Sequence, residues 1–491
     1  MGGAGVLASA AWATSPLRHA AKALPGSAPR IAIVGAGLAG LRCAHELWNG
    51  YPSGPIAATV YEANPERAGG RCWTLRDFFT NGLITEHGGA FIDTNHRAVR
   101  RLAANLGLQE EVVNGGDLPT GKEAHWIDGA YYTQVQANAD WVSVGYEAFR
   151  AASTERQSPA GETRLDSMSV PEWLESTELG AGSRLGKLLL ANTVTENGGD
   201  PEEQSALNLI ELTAHSPSSH LELLPGDDEK FHVAGGNDQL VSGMLAELPE
   251  GALQQGYELV AVRENSSRTI TLTFDTTSGA VDVTADLVVL ALPFSTLRNV
   301  DLSQSNLSAT KQTVIQTLGM GSNAKIHVEL QRKTWPALGF AGAAYGEWDR
   351  FCCAWDDSVP LGPDASPALL LGFPGGYVGR SQLTGAAHGS APAVDLNWFL
   401  GEIEPVYPGT SAAYAGRAYE DHWALDPWVL GAYSYYKIGQ AANYGELAAA
   451  TEGRIHFAGE HTAMRYQGFL EGAVVSGERV ARELHRRAGW R

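Results

Sequence analysis

The chain has 491 residues, 44% hydrophobic and 18% charged, enough to bury a large core in two interleaved domains and too apolar for a disordered protein. Its 35 Lys and Arg against 55 Asp and Glu give a formal net charge of −20, which repels phosphate backbones and argues against nucleic acid while leaving cationic ligands open. The cysteines Cys43, Cys72, Cys352 and Cys353 show no paired metal-ligand spacing, so neither a zinc module nor a disulfide scaffold is expected.

Residues 1–28 stand apart from the fold. Their GGAGVLASAAWA stretch is like the apolar end of an export signal without its basic start, and reads either as a signal remnant or as an N-terminal arm. No apolar run is long enough for a membrane helix, so the expectation is a soluble chain, cytoplasmic or exported, with no membrane anchor. Folded structure begins after Arg30 with IAIV, a continuous apolar run suited to a buried parallel strand. GAGLAG follows, a helix is expected from Leu38 to Trp48, and after the turn-rich NGYPSGP the strand IAATVY leads into Glu62. This is a βαβ unit. A helical region covers Val170 to Ala214, and from Glu258 the alternating ELVAV, TITLTF and AVDV predict a meander that returns to the buried strand LVVLALP. AKIHVEL (324–330) and ALLLGF (368–373) predict a second sheet. RIHFAGE is a last strand, and Phe469, Leu470, Ala473, Val474, Gly477, Val480, Ala481 and Leu484 mark one face of a final helix.

Gly35, Gly37 and Gly40 form G-x-G-x-x-G between a strand and a helix, where backbone amides and the helix dipole can receive a pyrophosphate. Glu62 closes the next strand at the offset where a carboxylate accepts hydrogen bonds from a ribose hydroxyl. This fingerprint alone does not separate NAD from FAD. Gly69, Gly70 and Arg71 in EANPERAGGRCWTLR, Glu86, Gly88, Gly89 and Ala90 in TEHGGAFI, the segments VAGGNDQL and WALDPWVLGAYSYY, and FAGEHTAMRYQGFLEGAVVSGERVARE extend it. In these blocks, in this order, the chain resembles the flavin-containing amine oxidase family, which includes monoamine and polyamine oxidases.

The resemblance implies an α/β fold in which a Rossmann-like, doubly wound FAD-binding domain (29–110, 225–300 and 415–491) is interleaved with an α+β substrate-binding domain (111–224 and 301–414). It places Gly35, Gly37, Ala39 and Gly40 at the FAD pyrophosphate, Glu62 at its ribose, and Gly70 and Arg71 along the diphosphate and ribityl chain. Gly89, Ala90 and Phe91 run past the flavin, Leu259 begins the segment at the adenine, Glu460 binds the ribityl-phosphate part and Trp423 packs near the ring. Tyr433 and Phe469 match the two aromatic positions that flank the substrate amine, and Lys325 matches a lysine near flavin N5. Ala432 stands where monoamine oxidase has its flavin-linked cysteine, so FAD is expected to be non-covalent, with Cys72 the remaining cysteine near a cofactor motif. Phe91 replaces the arginine with which venom-type amino-acid oxidases clamp the substrate carboxylate, which favours plain amines unless Arg97 or Arg465 serves instead.

His87 is a second-layer candidate at the flavin or substrate, and Trp428, Tyr435, Tyr436 and Tyr466 are candidates for shaping the channel. The implied reaction takes a hydride equivalent from a small-molecule amine, leaves an imine that hydrolyses to an aldehyde or ketone, and reduces O2 to H2O2. No metal is expected, and a homodimer is left open. The alternatives are an L-amino-acid oxidase with a relocated clamp, a flavin desaturase or protoporphyrinogen-type oxidase, and a flavoprotein with structural FAD.

Overall fold

The computed structural model describes residues 29–51, 54–114 and 122–487, so the expectation for residues 1–28 lies outside the described residues. Strand β1 (Ile31–Val34) is buried at every position and leads through Gly35 into helix α1 (Leu38–Asn49), which is followed by strand β2 (Ala58–Glu62). β1 sits at the centre of a five-stranded sheet with the order Ile455–Phe457, Leu287–Leu290, β1, β2, Leu253–Gln255. Every neighbouring pair in it is parallel. A parallel sheet must be covered on both faces, which is why IAIV and LVVL are unbroken apolar runs. One face packs under α1 and the last helix, Leu470–Arg487, with Leu41, Leu47, Val474 and Val480 in the shared core. The two helices touch closely at Gly477, where a Cβ would lie 2.4 Å from the Ala39 carbonyl oxygen. The other face is covered by the meander Glu258–Glu264, Ile270–Asp275 and Val281–Ala285, whose Val262, Leu272 and Phe274 pack with Val34, Val288 and Leu290.

An eight-stranded sheet forms the second layer. Its order is His388–Ser390, Tyr414–His422, Ala324–Leu330, Ala368–Gly372, Cys353–Asp356, Phe340–Tyr345, Lys122–Ile127 and Ala130–Tyr131. The two strands expected here from sequence, Ala324–Leu330 and Ala368–Gly372, are adjacent and antiparallel in its middle. The strand Tyr414–His422 crosses the 414/415 boundary expected between domains and pairs with Ala324–Leu330. Helices Arg184–Asn197 and Ala206–Thr213 pack on one side with Trp141, Phe149 and Trp173. Helix Ala393–Ile403 covers the other side through Leu396, Phe399 and Ile403.

The region Val170 to Ala214 is helical as expected, but as three helices. Ser169, Ser183 and Ser205 each accept a backbone N–H at a helix start, so the chain restarts at every serine cap. Among the described residues no helix is long and apolar enough to cross a membrane.

Candidate functional site

A cavity of about 520 Å³ runs from the β1–α1 turn to the face of the eight-stranded sheet. At its first end Gly35 has φ +100°, and a Cβ there would lie 2.7 Å from the Ala291 carbonyl oxygen, so only glycine fits. Gly37 and Gly70 differ. A Cβ on Gly37 meets nothing nearer than Gly69 O at 4.0 Å, and one on Gly70 nothing nearer than Gly37 Cα at 3.5 Å, although both residues line the cavity. The missing side chain of Gly37 therefore leaves room for a ligand rather than for the protein, while at Gly70 the φ of +57° favours glycine as well. Helix α1 starts with no side-chain cap and no acidic residue in its first turn, which leaves its N–H groups and positive dipole end available to an anion.

Glu62 supplies the complementary polar group. Its two carboxylate oxygens accept N–H bonds from Ala36 at 2.7 Å and from Asn64 at 2.9 Å, each oxygen keeping a lone pair for a hydroxyl. Burial raises this carboxyl above its ordinary value, against the pull of those backbone donors. A pyrophosphate-binding glycine turn, an uncapped helix start and a diol-accepting carboxylate fit the FAD expected from sequence. Gly40 does not reach the cavity. A Cβ there would lie 2.0 Å from Gly35 O and 3.2 Å from the Ala291 Cβ, so this glycine permits close packing of helix, turn and strand. The other expected cofactor positions, Ala39, Arg71, Gly89, Ala90, Phe91, Leu259, Trp423, Glu460 and Phe469, all line the cavity.

Arg71 and Glu460 tie distant segments together beside it. Arg71 Nη1 donates to Glu460 Oε1 at 3.0 Å and also to the Ala432 carbonyl. Glu460 further accepts from Ser434 N and Oγ and from Gly468 N, at 3.1, 2.7 and 2.9 Å. Burial opposes this negative charge, yet Arg71 and the surrounding donors hold the carboxyl below its ordinary value. Its oxygens are thus committed to protein donors at the start of the last helix.

The turn 86–91 is held through its carbonyls. Lys325 Nζ donates to Glu86 O and Gly88 O, both at 2.7 Å, and Trp423 Nε1 donates to His87 O at 2.8 Å. Asn237 Nδ2 donates to Gly89 O and Ala90 O at 3.0 and 2.9 Å. Lys325 lies in a strand buried at all seven positions and lines the cavity. Burial lowers its basicity, while Asp357, Asp421 and Glu86 favour the charged form. An ammonium has three N–H donors, so two carbonyls leave it one more. Asn237 is a residue that sequence reasoning did not single out, although VAGGNDQL was marked as a block.

His87 turns its ring away from the cavity. It stacks on Trp73 at 3.6 Å, and its Nδ1 pairs with Asp421 Oδ1 at 2.6 Å. Asp421 also receives His388 Nδ1 at 2.7 Å and His327 Nε2 at 3.0 Å. Burial would raise the Asp421 carboxyl, but the bonds from His327, His388 and His87 hold it well below the carboxylate range. This depressed group contributes stability that is complete above its unfolded value of about 4 and is lost as pH falls through the lower folded value. Asp421→Asn is expected to lower stability at pH 7 by about 2 kcal/mol, measured by denaturant titration of the holoenzyme. An unchanged midpoint would contradict the network.

The far end of the cavity is aromatic. Tyr433 and Phe469 line it with Phe91, Trp355 and Phe373. The Tyr433 hydroxyl donates to Thr195 O, Phe469 meets the edge of His96 at 5.1 Å, and Phe91 and Trp355 lie 5.5 Å apart. Of the expected channel aromatics Trp428 lines the cavity, whereas Tyr435, Tyr436 and Tyr466 do not. Arg97 and Arg465 are exposed and also absent from the lining. Ala432 is in the wall, and Cys72 is a buried thiol, donating to Asn237 O at 3.3 Å and raised well above its ordinary value by burial. Glu123, Glu196, Glu229 and Tyr345 line the same end and were not marked by any sequence motif.

Comparison with known proteins agrees with this geometry. The chain is 23% identical over 467 residues to the pseudooxynicotine dehydrogenase of a Pseudomonas species, covering 92% of this chain and 85% of that one. It is 24% identical over 483 residues to an L-amino acid dehydrogenase of Synechocystis, covering 94% and 95%. Its fold matches the solved cyclohexylamine oxidase of Brevibacterium oxydans with a TM-score of 0.78 at 21% identity, over 94% of this chain and all of that one. Residues 38–485 match the family described as flavin containing amine oxidoreductase, and the chain belongs to that family.

Proposed function

We propose that this protein oxidises a small-molecule amine to an imine, which hydrolyses to an aldehyde or ketone plus ammonia or a smaller amine. The observation that carries the reading is one cavity joining a glycine turn suited to a pyrophosphate with an aromatic chamber walled by Lys325, Tyr433 and Phe469. FAD, when bound, supplies the redox chemistry, taking a hydride equivalent from the amine and passing the electrons to O2 to give H2O2. The protein's own groups orient and desolvate. Tyr433 and Phe469 give the amine aromatic walls that exclude water, and the Tyr433 phenol, raised by burial, stays protonated and anchored to Thr195 O. Lys325, Trp423 and Asn237 hold the 86–91 turn in place along the cavity. We assign segments 29–110, 225–300 and 415–491 to the cofactor side and 111–224 and 301–414 to the substrate side, the strand Tyr414–His422 bridging the two through its pairing with Ala324–Leu330.

The absence of a free arginine favours amines over amino acids. Among the described residues the lysines and arginines in the cavity wall are Arg67, Arg71 and Lys325, and each donates to backbone carbonyls: Gly70 O, Ala432 O, and the pair Glu86 O and Gly88 O. Among the described residues of the cavity wall, no guanidinium is without a protein partner. Ala432 and the protonated Cys72 support non-covalent FAD, which acid precipitation would release from the protein. The test of the reaction is anaerobic mixing of the holoenzyme with primary amines, secondary amines and L-amino acids, followed by admission of O2. Amines are expected to bleach the flavin absorbance, with peroxide on reoxidation. Bleaching by amino acids alone, or by neither class, would sink this reading.

A further inference from the structure

Three polar side chains in the aromatic chamber hold neither the fold nor the cofactor turn. Glu196 follows Thr195 in the last turn of helix Arg184–Asn197, Glu229 precedes strand Phe231–Val233, and Tyr345 closes strand Phe340–Tyr345; all three line the cavity with Tyr433 and Phe469. Tyr345 is only 8% exposed, yet its hydroxyl makes no hydrogen bond to a described residue. The carboxyls of Glu196 and Glu229 likewise have no N–H, hydroxyl or cationic partner among the described residues. Their oxygens are also not among the sealed polar atoms of the interior, so they open onto the chamber.

Their positions are set by the same contacts that set the aromatic walls. Thr195 O receives the Tyr433 hydroxyl, which fixes the residue before Glu196. Glu229 N donates to Asp93 Oδ1 at 2.5 Å, Asp93 pairs with His96 at 3.0 Å, and His96 packs against Phe469. Glu229 holds φ +44°, an uncommon conformation for a side-chain-bearing residue. The electrostatics are one-sided. Burial raises both carboxyls, and the neighbours that act on them, Glu196 first on Glu229, then Asp93 and Asp227 on both and Glu123 on Glu229, are also acids. Glu123 stands further out, its side chain 51% exposed and 3.7 Å from His125. Half-buried acids without a cationic partner are unfavourable, and the partner that fits is cationic, rich in N–H donors and brought in from outside.

We propose that Glu196, Glu229 and Tyr345 form a recognition pole for a second cationic group, so that the substrate is a diamine or longer polyamine rather than a monoamine. This rests on the amine-oxidising reading above and deepens it. One amine enters the aromatic chamber neutral, as oxidation requires. The other stays an ammonium, whose three N–H donors meet two carboxylates and a phenol oxygen. The cation also gives the two acids the charge they lack, so ligand binding favours their ionised forms.

The test compares α,ω-diaminoalkanes with 1-aminoalkanes of the same carbon number as reductants of the holoenzyme. Wild type is expected to show a kcat/KM at least about tenfold higher for the diamines, and Glu196→Gln and Glu229→Gln each to reduce that diamine-to-monoamine ratio about 10- to 100-fold. The visible spectrum of bound flavin reports that each variant is folded and loaded. Monoamines equal to or better than diamines in wild type would overturn the proposal even if neither variant folds. So would a ratio that both substitutions leave unchanged. If no amine reduces the flavin, the amine-oxidising reading falls instead, which is a different result from equal reduction by both series.

Discussion

Gly35→Val is expected to yield a protein that purifies without FAD, with cofactor affinity reduced about 10³-fold or more, whereas Gly37→Ala is expected to keep the stability of the apoprotein and lose affinity alone. The two glycines are separated by one residue, but different neighbours enforce them. At Gly35 the φ of +100° and the Ala291 carbonyl 2.7 Å from a Cβ make any side chain a conflict inside the protein. At Gly37 the backbone has φ −70°, which any residue adopts, and the nearest atom to a Cβ is 4.0 Å away. A methyl there is tolerated until a pyrophosphate approaches. Thermal unfolding of both apoproteins, with FAD titrated into each by fluorescence quenching, checks the contrast. Normal FAD affinity in Gly37→Ala would mean that this stretch of the cavity does not carry the pyrophosphate.

Lys325→Met is expected to slow anaerobic flavin reduction by amine about 10²-fold and to remove the alkaline limb of its pH profile. Lys325 is 4% exposed and spends two donors on Glu86 O and Gly88 O, so its charge lies at the cavity wall beside the turn. A cation there favours the arrival of electron density. Because burial lowers its basicity, the charged fraction falls as pH rises through the folded value, and the rate falls with it. Methionine keeps the length of the side chain and has no proton to lose. It also leaves two buried carbonyls unpaired, a loss of about 1–3 kcal/mol for each that denaturant titration would register separately. A variant that loses stability but keeps the wild-type pH profile would assign Lys325 to holding the turn and nothing more.

What could be read from the sequence was local. The glycine turn, its strand, its helix and Glu62 are spaced by the geometry of one βαβ unit, so counting residues locates them. Family likeness extended this to Arg71, Trp423, Lys325, Tyr433, Glu460 and Phe469, which the fold brings to one cavity. Gly40 shows the limit of a motif: its place in the pattern is correct, but it faces Gly35 O and Ala291 instead of the ligand. His87 was singled out for its glycine neighbour, and its ring turned out to belong to Asp421, 334 residues away. Arg97 and Arg465 were candidates for a relocated carboxylate clamp, and both are exposed at the surface. The acidic pole was illegible for a different reason. Glu196, Glu229 and Tyr345 come from a helix, a loop and a strand with no common spacing, and a glutamate destined for a chamber has the same letter as one destined for water.

The parallel sheet has a consequence for the time at which this protein becomes a flavoprotein. Its neighbouring strands β1, Leu287–Leu290 and Ile455–Phe457 come from near the start, the middle and near the end of the chain. Ribosomes add about 5–20 residues per second, so the roughly 420 residues between the first of these strands and the last take about 20–80 s to appear. Throughout that interval the glycine turn has emerged, but Ala432 and Glu460, which hold Arg71 beside it, come late, and Glu460 has not yet been made. The cofactor site is therefore complete only once strand Ile455–Phe457 and Glu460 have been made, so FAD can reward folding no earlier than that.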